Sequence, residues 1–238
     1  MNNNHNSEVT TPLSTRATGV FREATKCGFG STKGSKSPLA TVDRQGESLK
    51  CDIILCGVGG QGILSIATII GEAAMNENLY IKQAEVHGMS QRGGDVQSNL
   101  RISSEPIASD LISLGGADVI ISMEPMEALR YLPYLNKEGW VITSIAPFIN
   151  IPNYPNIEDI KAELAKLPHV VAIDIEQLAK DNQVPRSANV ILLGAAQKAL
   201  GIDYDKLEAA IRRVFARKGD AIVDANVKAL AIGREQQG

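Results

Sequence analysis

Short apolar runs alternate with helical patterns of apolar residues from residue 51 onward. The first run, 52–56, ends in glycines and predicts a buried strand, and residues 61–76 after it carry apolar side chains at helical spacing. Similar short runs predict five further strands, at 79–86, 96–102, 119–122, 140–143 and 170–173. Helices are predicted at 124–132, where proline occupies the first turn, and at 157–165.

The last third of the chain has helical patterns only. Four residues of the capping type mark helix boundaries: Ser187 and Asp203 at starts, Gly201 and Gly219 at ends. Residues 180–183 are interpreted as a solvated helix end, and apolar spacing over 223–230 predicts a final helix. We therefore expect an α/β fold, with a Rossmann-like, mainly parallel sheet, flanking helices and an all-helical C-terminal third.

The first 50 residues differ in composition from the rest. They carry seven basic and four acidic side chains, a net charge of +3, which leaves −6 for residues 51–238 of a chain whose total is −3. They show no hydrophobic period, and a segment that buries little apolar surface does not offset its ordering entropy. Residues 1–50 are therefore predicted to be a disordered extension, and 51–238 the folded domain. The extension is interpreted as dispensable, as an organelle-targeting peptide or as a partner-binding arm; Glu8 and Glu23 argue against targeting.

The composition limits the classes of function. Hydrophobic residues make up 44% and aromatic residues only 4%, so the core must be aliphatic, which favours helices packed on a buried parallel sheet. A net charge of −3 argues against a general affinity for nucleic acid. No apolar run approaches the roughly 20 residues that span a bilayer. We expect a soluble protein that binds neither nucleic acid nor membrane.

The cysteines argue against a metal centre in this chain. Cys27, Cys51 and Cys56 form no Cys-x-x-Cys pair and are too few for a four-iron cluster, and the three histidines lie far apart in sequence. Cys56 falls inside an apolar strand, where a buried, inert thiol is the simpler interpretation. The odd count and the lack of a secretory signal favour a reducing, cytoplasmic location.

A glycine-rich loop between the first strand and the first helix is the sharpest local motif. Gly57-Val58-Gly59-Gly60-Gln61-Gly62 fits the pattern G-x-G-x-x-G in its usual strand–helix context. Such glycines permit a tight turn, and the helix N-terminus presents N–H groups to an anion. The alternative is that the glycines only let helix and strand pack closely.

A second glycine-bearing loop follows the second strand. A nicotinamide site needs an acidic residue about 20 positions after the first loop, and Glu85 lies 23 residues after Gly62. The sequence then continues as Val86-His87-Gly88-Met89-Ser90-Gln91-Arg92-Gly93-Gly94, which does not look like a ribose-binding segment. Loops at the carboxyl ends of neighbouring strands converge, so we expect these two to form one surface.

Together the two loops resemble the gamma-type domain of 2-oxoacid:ferredoxin oxidoreductases. The resemblance rests on the two loop sequences, on 95–101, and on 117–132 with its Glu124-Pro125 element, and it covers about 51–235. Within that family, His87-Gly88-Met89 and Glu127-Ala128-Leu129-Arg130-Tyr131 are most similar to the beta subunit of the indolepyruvate enzymes.

The resemblance implies a division of labour between subunits. A larger subunit would bind thiamine diphosphate and the iron–sulfur clusters and pass electrons to ferredoxin, with coenzyme A as co-substrate. The implied reaction is oxidative decarboxylation of an aryl pyruvate to an aryl-acyl-CoA. This chain agrees independently, since Gly94-Asp95 and Gly219-Asp220 are followed by Val96 and Ala221 rather than by the glycine of a thiamine motif. We expect no cofactor in this chain, because the hard chemistry belongs to the partner's cofactors.

The residues expected to face the partner's cofactor or the path of coenzyme A lie in the two loops. They are Gly57, Gly59, Gly60, Gln61, Gly62, Arg92, Gly93 and Gly94. Arg92 is expected to contact a phosphate or carboxylate bidentately, or else to pair with Glu85 or Asp95 and shape the loop. His87 is interpreted as a loop or interface residue and Glu124 as a helix start, so no residue is assigned as catalytic or as a metal ligand.

Three other functions stay open at this point. A pyruvate, 2-oxoglutarate or branched-chain 2-oxoacid enzyme of the same family would share the two loops. A free-standing nicotinamide-dependent oxidoreductase would use only the first loop. A non-catalytic binding or scaffold protein would fit the small net charge and the lack of a coupled acid–base pair.

Overall fold

The computed structural model describes residues 49–87 and 93–237. Within them, six strands are β1 (Lys50–Val58), β2 (Tyr80–His87), β3 (Asp95–Ser103), β4 (Ala117–Ser122), β5 (Leu135–Ser144) and β6 (Val170–Ile173). The helices are α1 (Ile63–Asn76), α2 (Pro125–Arg130), α3 (Ile157–Leu164), α4 (Ile175–Asp181), α5 (Ala188–Leu200), α6 (Tyr204–Phe215) and α7 (Asp220–Arg234). The predicted disordered extension falls almost entirely outside the described residues and stays a prediction.

The strands form one sheet in the order β2-β3-β1-β4-β5-β6. β1, β4, β5 and β6 pair in parallel, whereas β3 is antiparallel to both β1 and β2. The predicted mainly parallel sheet is confirmed. One detail is wrong, however: β1 and β2 are not neighbours, because β3 lies between them. Only seven residues separate β2 from β3, fewer than the dozen or so that a crossover between parallel strands needs, so these consecutive strands pair antiparallel.

Both faces of the sheet are covered, which explains why its central strands are apolar throughout. Along β1, Ile53 and Leu55 enter a core shared with α1 and α5, while Ile54 and Cys56 enter a second core against α2 and α3. Successive strand residues point to opposite faces, so a strand buried on both sides has no polar alternation. The buried position predicted for Cys56 is confirmed at 0% exposure.

The all-helical C-terminal third is confirmed. The helix end expected at 180–183 belongs to α4, a short helix that Asp174 caps by accepting a hydrogen bond from the N–H of Gln177 at 2.9 Å. The next helix, α5, is mostly buried and packs against α7. None of the helices in the described part of the chain has the length and apolar character needed to cross a bilayer.

Candidate functional site at the carboxyl edge of the sheet

The first glycine loop connects β1 to α1 in a turn that its own side chains fill. Gly57 has φ +152°, and a Cβ there would lie 2.8 Å from Gln61 Oε1 and 3.0 Å from Met123 Cβ. Gly62, at φ +85°, is similarly packed against Asn189. Gly60 differs, because at φ +105° nothing lies within 4 Å of the position that a Cβ would take. Packing therefore explains two of these glycines, while Gly60 leaves the backbone open to the outside.

Gln61 holds this loop in shape. Its Oε1 accepts a hydrogen bond from the Val58 N–H at 2.7 Å, and its Nε2 donates to the Met123 carbonyl oxygen at 3.2 Å. The side chain therefore links the ends of β1 and β4, two parallel neighbours. α1 begins only at Ile63, two residues later than predicted, because Gln61 and Gly62 belong to the turn.

The two glycine loops meet, as expected. The Gly59 N–H donates to the Gly94 carbonyl oxygen at 2.8 Å, and the Gly93 N–H approaches the Gly59 carbonyl oxygen at 3.5 Å. The route differs from the prediction, because the second loop reaches the first through the start of the antiparallel β3. Arg92 and the side chain of His87 lie outside the described residues, so their proposed roles stay predictions.

The geometry does not suit a nicotinamide site. Glu85 lies on β2, which β3 separates from β1, so it is two strand spacings away, roughly 10 Å. A ribose-binding acid belongs on a strand adjacent to the first. The exposed Glu85 instead accepts a hydrogen bond from Gln83 Nε2 at 2.8 Å. The peptide of Gly59, where a pyrophosphate would approach the backbone, is already bonded to Gly94.

A cleft of about 220 Å³ opens beside the joined loops, on the side of the sheet covered by α2. Its polar wall contains Asp95, Glu124, Glu127, Arg130, Asn150 and Tyr154. Its apolar wall contains Val58, Met126, Phe148 and Ile151. These residues come from the end of β1, the start of β3, helix α2 and the connection from β5 to α3, so the cleft is assembled from distant parts of the sequence.

Glu124 starts α2, as predicted. Its Oε2 accepts a hydrogen bond from the Glu127 N–H at 2.9 Å, which satisfies a free donor of the first helical turn. Its Oε1 accepts from the Tyr154 hydroxyl, and the Phe148 N–H lies 3.4 Å away. Burial and the neighbouring carboxylate of Glu124 raise the pKa of Tyr154. The cap therefore also holds the connection that follows β5 over the cleft.

Glu127 is the functional candidate that sequence reasoning missed. It is only 3% exposed, and its Oε2 has no hydrogen-bond partner among the described residues. The Arg130 Nε lies 3.1 Å from this oxygen as an ion pair, but the approach is not that of a hydrogen bond. Burial raises the pKa of Glu127 to about 6; Arg130 opposes the shift, and Glu124 and Asp95 add to it. The one feature of the sequence that could have indicated Glu127 is its position as a second acid, three residues after the helix cap Glu124.

The thiols and acids of the described residues suggest no reactive centre of their own. Burial raises the pKa of Cys56 to about 12 and also raises that of Cys51, so both thiols stay protonated near neutral pH. In the described ranges, no group of three His, Cys, Asp or Glu side chains is placed to hold a metal ion. The carboxyl edge of the sheet instead has two joined loops, with open backbone at Gly60, and an acidic cleft beside them.

The family model of pyruvate ferredoxin/flavodoxin oxidoreductase matches residues 52–236, and the chain belongs to this family. Its fold, with the joined loops at one sheet edge, is therefore that of an oxidoreductase subunit. The chain is 37% identical over 197 residues to indolepyruvate oxidoreductase subunit IorB of Archaeoglobus fulgidus, covering 79% of this chain and 96% of that protein. Three further archaeal proteins of that name are 34–36% identical.

Two solved structures share the fold. The gamma subunit of a keto/oxoacid ferredoxin oxidoreductase from Geobacter sulfurreducens has a TM-score of 0.56 and 27% identity, covering 78% of this chain and 97% of that one. The 2-oxoglutarate:ferredoxin oxidoreductase from Magnetococcus marinus, with 2-oxoglutarate, coenzyme A and succinyl-CoA bound, has a TM-score of 0.63 and 20% identity. It covers 79% of this chain, which spans 31% of that longer one.

Proposed function

We propose that this chain is the small subunit of an indolepyruvate:ferredoxin oxidoreductase. In that role it supports the coenzyme A-dependent oxidative decarboxylation of aryl pyruvates, with reduction of ferredoxin. The observation that carries the proposal is the 37% identity to an indolepyruvate oxidoreductase subunit across 96% of that protein. The two joined glycine loops lie within the residues over which the chain matches the family.

The reactive centre is proposed to lie on a larger partner subunit. Thiamine diphosphate there would supply the chemistry that cleaves the oxoacid, and iron–sulfur clusters would carry the electrons to ferredoxin. This chain's contribution is then to close the assembly and to shape one wall of the site. Both described cysteines are free and buried, in keeping with a reducing, cytoplasmic setting.

The joined loops are proposed to face the partner's cofactor or the path of coenzyme A. The start of α1 presents N–H groups without intrahelical partners, a natural site for a phosphate oxygen. Gly60, whose Cβ position is open, allows a ligand to approach the backbone closely. Arg92 directly precedes the Gly93–Gly94 segment and is proposed to contact a phosphate of coenzyme A. A relative of the same fold was solved with coenzyme A bound.

Another 2-oxoacid is the alternative substrate. The common gamma subunit of the pyruvate and ketoisovalerate oxidoreductases of Pyrococcus furiosus is 29% identical over 164 residues. Because the pocket for the substrate side chain is proposed to lie mainly on the partner, this chain discriminates weakly between these substrates. The lower identity, over a shorter stretch, makes this the second choice.

An anaerobic assay of the reconstituted pair tests the proposal. The chain is co-expressed with its large subunit, and ferredoxin or viologen reduction is followed with indolepyruvate, pyruvate, 2-oxoglutarate and a branched-chain oxoacid. The expected result is coenzyme A-dependent reduction that is fastest with indolepyruvate. Reduction fastest with another of these oxoacids would replace the substrate and keep the subunit role, and a pair inactive with all four would overturn the proposal.

Arg92 is tested in the same assay. Arg92→Ala is expected to raise the KM for coenzyme A by about ten- to a hundredfold, the loss of one charge-assisted phosphate contact. Arg217→Ala removes another arginine outside both loops and serves as the matched control. An unchanged coenzyme A KM and rate in Arg92→Ala would show that Arg92 only shapes its loop.

A further inference from the structure

The acidic cleft beside the joined loops holds more negative than positive charge. Its described charged side chains are Asp95, Glu124, Glu127 and Arg130, three acids against one base. Glu124 is satisfied by the α2 N–H group and the Tyr154 hydroxyl. Glu127 is buried with an oxygen that accepts no hydrogen bond among the described residues. The half-exposed Arg130 compensates part of this charge as an ion pair, and a second cation that enters the cleft would offset the remaining cost of burying the oxygen.

The connection from β5 to α3 brings apolar side chains to this cleft: Phe148 and Ile151 line it, and Ile149 lies between them in the chain. Phe148 is 43% exposed, Ile149 70% and Ile151 37%. This segment is tied to the second glycine loop, because Asn150 Nδ2 donates to the Gly93 carbonyl oxygen at 2.6 Å. Exposed aliphatic and aromatic side chains around a desolvated charge are the composition of a protein–protein hot spot, in which apolar contacts keep water away from a buried pair.

The size of the cleft favours a side chain over a small molecule. Pockets for small molecules usually hold about 300–1,000 Å³, whereas this one holds about 220 Å³. A single lysine or arginine has a long aliphatic stem and a cationic head, so its stem can lie along Phe148 and Ile151 while the head reaches Glu127.

We propose that this cleft, with its rim of Phe148, Ile149 and Ile151, receives a lysine or arginine side chain of the large catalytic subunit. The inference rests on the proposed function, because the occupant is that subunit, and deepens it by naming the docking chemistry. The excess of acidic side chains in the cleft suits a cationic side chain, and the cleft adjoins the loops already proposed to face the same partner. Docking here would fix the joined loops against the partner's site.

The affinity of the full-length chain for the large subunit tests this inference. Glu127→Gln removes the buried charge, keeps the shape, and is expected to raise the Kd by at least about tenfold, since a desolvated charge pair loses one partner. Asp95→Asn removes an exposed charge that lines the cleft and is expected to raise the Kd by less. Ile149→Asp is expected to raise the Kd by at least about tenfold, because it places a charge among the apolar contacts.

Leu114→Asp is the matched control for the rim. Leu114 is 69% exposed, almost the same as Ile149, but it precedes β4 and so lies at the opposite edge of the sheet. Its Kd is expected to stay within about twofold of the wild type.

The outcomes separate the two proposals. A wild-type pair that binds and turns over, with Glu127→Gln and Ile149→Asp binding as tightly, overturns the docking site and leaves the proposed function standing. A Glu127→Gln chain that loses stability in isolation yet binds normally shows that Arg130 alone supplies the counter-charge of Glu127, which also overturns the docking site. A wild-type chain that binds no large subunit at all overturns both.

Discussion

The Gly59 N–H donates a hydrogen bond of 2.8 Å to the Gly94 carbonyl oxygen, and this contact joins the two glycine loops into one surface. The residues are 35 positions apart in sequence and meet because β3 runs antiparallel beside β1, placing its start next to the end of that strand. A loop that binds a free dinucleotide keeps this part of the backbone open. Here the Gly59 N–H is instead used to join the two loops.

Gly57→Ala and Gly60→Ala compare a crowded glycine of the first loop with a glycine whose Cβ position is open. Both residues have positive φ, so each alanine is strained, but only Gly57 is also crowded, with neighbours at 2.8–3.0 Å. Gly57→Ala is expected to lower the free energy of unfolding by about 2–4 kcal/mol and Gly60→Ala by about 1–2 kcal/mol. Urea unfolding of the isolated chain measures both. Equal losses would show that Gly57 is not held by its neighbours.

Gly233 marks the closest approach of two helices in the C-terminal third. A Cβ on Gly233 would lie 1.9 Å from the Ile191 carbonyl oxygen, so Gly233→Ala must push α7 away from α5. We expect a loss of about 3 kcal/mol or more, as for overpacking against a rigid backbone. Gly71→Ala in α1 is the control, because its Cβ meets nothing within 4 Å and should stabilise the helix by about 0.5–1 kcal/mol. Thermal melts in which both variants shift alike would contradict this packing.

The Asp52–Arg101 pair stabilises the amino edge of the sheet. Arg101 Nε and Nη2 donate to the two Asp52 oxygens at 2.7 and 2.9 Å, and Asp52 is 3% exposed. Asp52→Asn leaves Arg101 without its charge partner and is expected to cost about 3–5 kcal/mol of unfolding free energy. Glu158→Gln breaks the exposed Lys161–Glu158 pair of 2.9 Å and should cost less than about 1 kcal/mol. Similar losses in the two variants would be the contrary result.

Glu127 gives the stability of the isolated chain a pH dependence of known sign. Its pKa is about 6 in the folded protein against an ordinary value of 4.5, so the folded state binds the proton more tightly than the unfolded state. Stability from this group is therefore highest at low pH and falls as pH rises from about 4.5 to about 6, by up to about 2 kcal/mol.

Glu127→Gln removes this dependence and should be the more stable protein at pH 7.5. The difference in unfolding free energy between wild type and variant, followed from pH 4 to pH 7.5, isolates the group from the other carboxylates. A difference that stays constant across this range would contradict the raised pKa. Since the same variant is expected to weaken the complex, the two readouts move in opposite directions and a folding defect cannot account for both.

Hydrophobic periodicity predicted the strands and most helices, because a strand or helix that is buried on one or two faces carries apolar residues at the matching spacing. The periodicity could not predict that β3 lies between β1 and β2, since the order of strands depends on which strands pair and not on the local pattern. For this reason Glu85 had the right spacing for a ribose contact and the wrong place in the sheet. The motif at 57–62 was readable from sequence, because a glycine that needs positive φ has few substitutes.

The acidic cleft was not predictable in the same way. Glu127 looks like an ordinary polar residue of a short helix, and only the fold brings Tyr154 and Phe148 from a distant connection to the cleft that it lines. Sequence separation hides such a cluster, because each residue taken alone has a simpler explanation. Glu124 shows the point: it caps α2, as its position predicts, and it also anchors Tyr154, which its position does not predict.

We propose that this polypeptide borrows its reactive centre from a partner subunit. The most direct test is oxoacid-dependent, coenzyme A-dependent ferredoxin reduction by the purified 238-residue chain, by its purified large subunit, and by the two combined under anaerobic conditions. We expect full activity only in the mixture, and none from this chain alone. Turnover by the isolated chain would contradict the proposal.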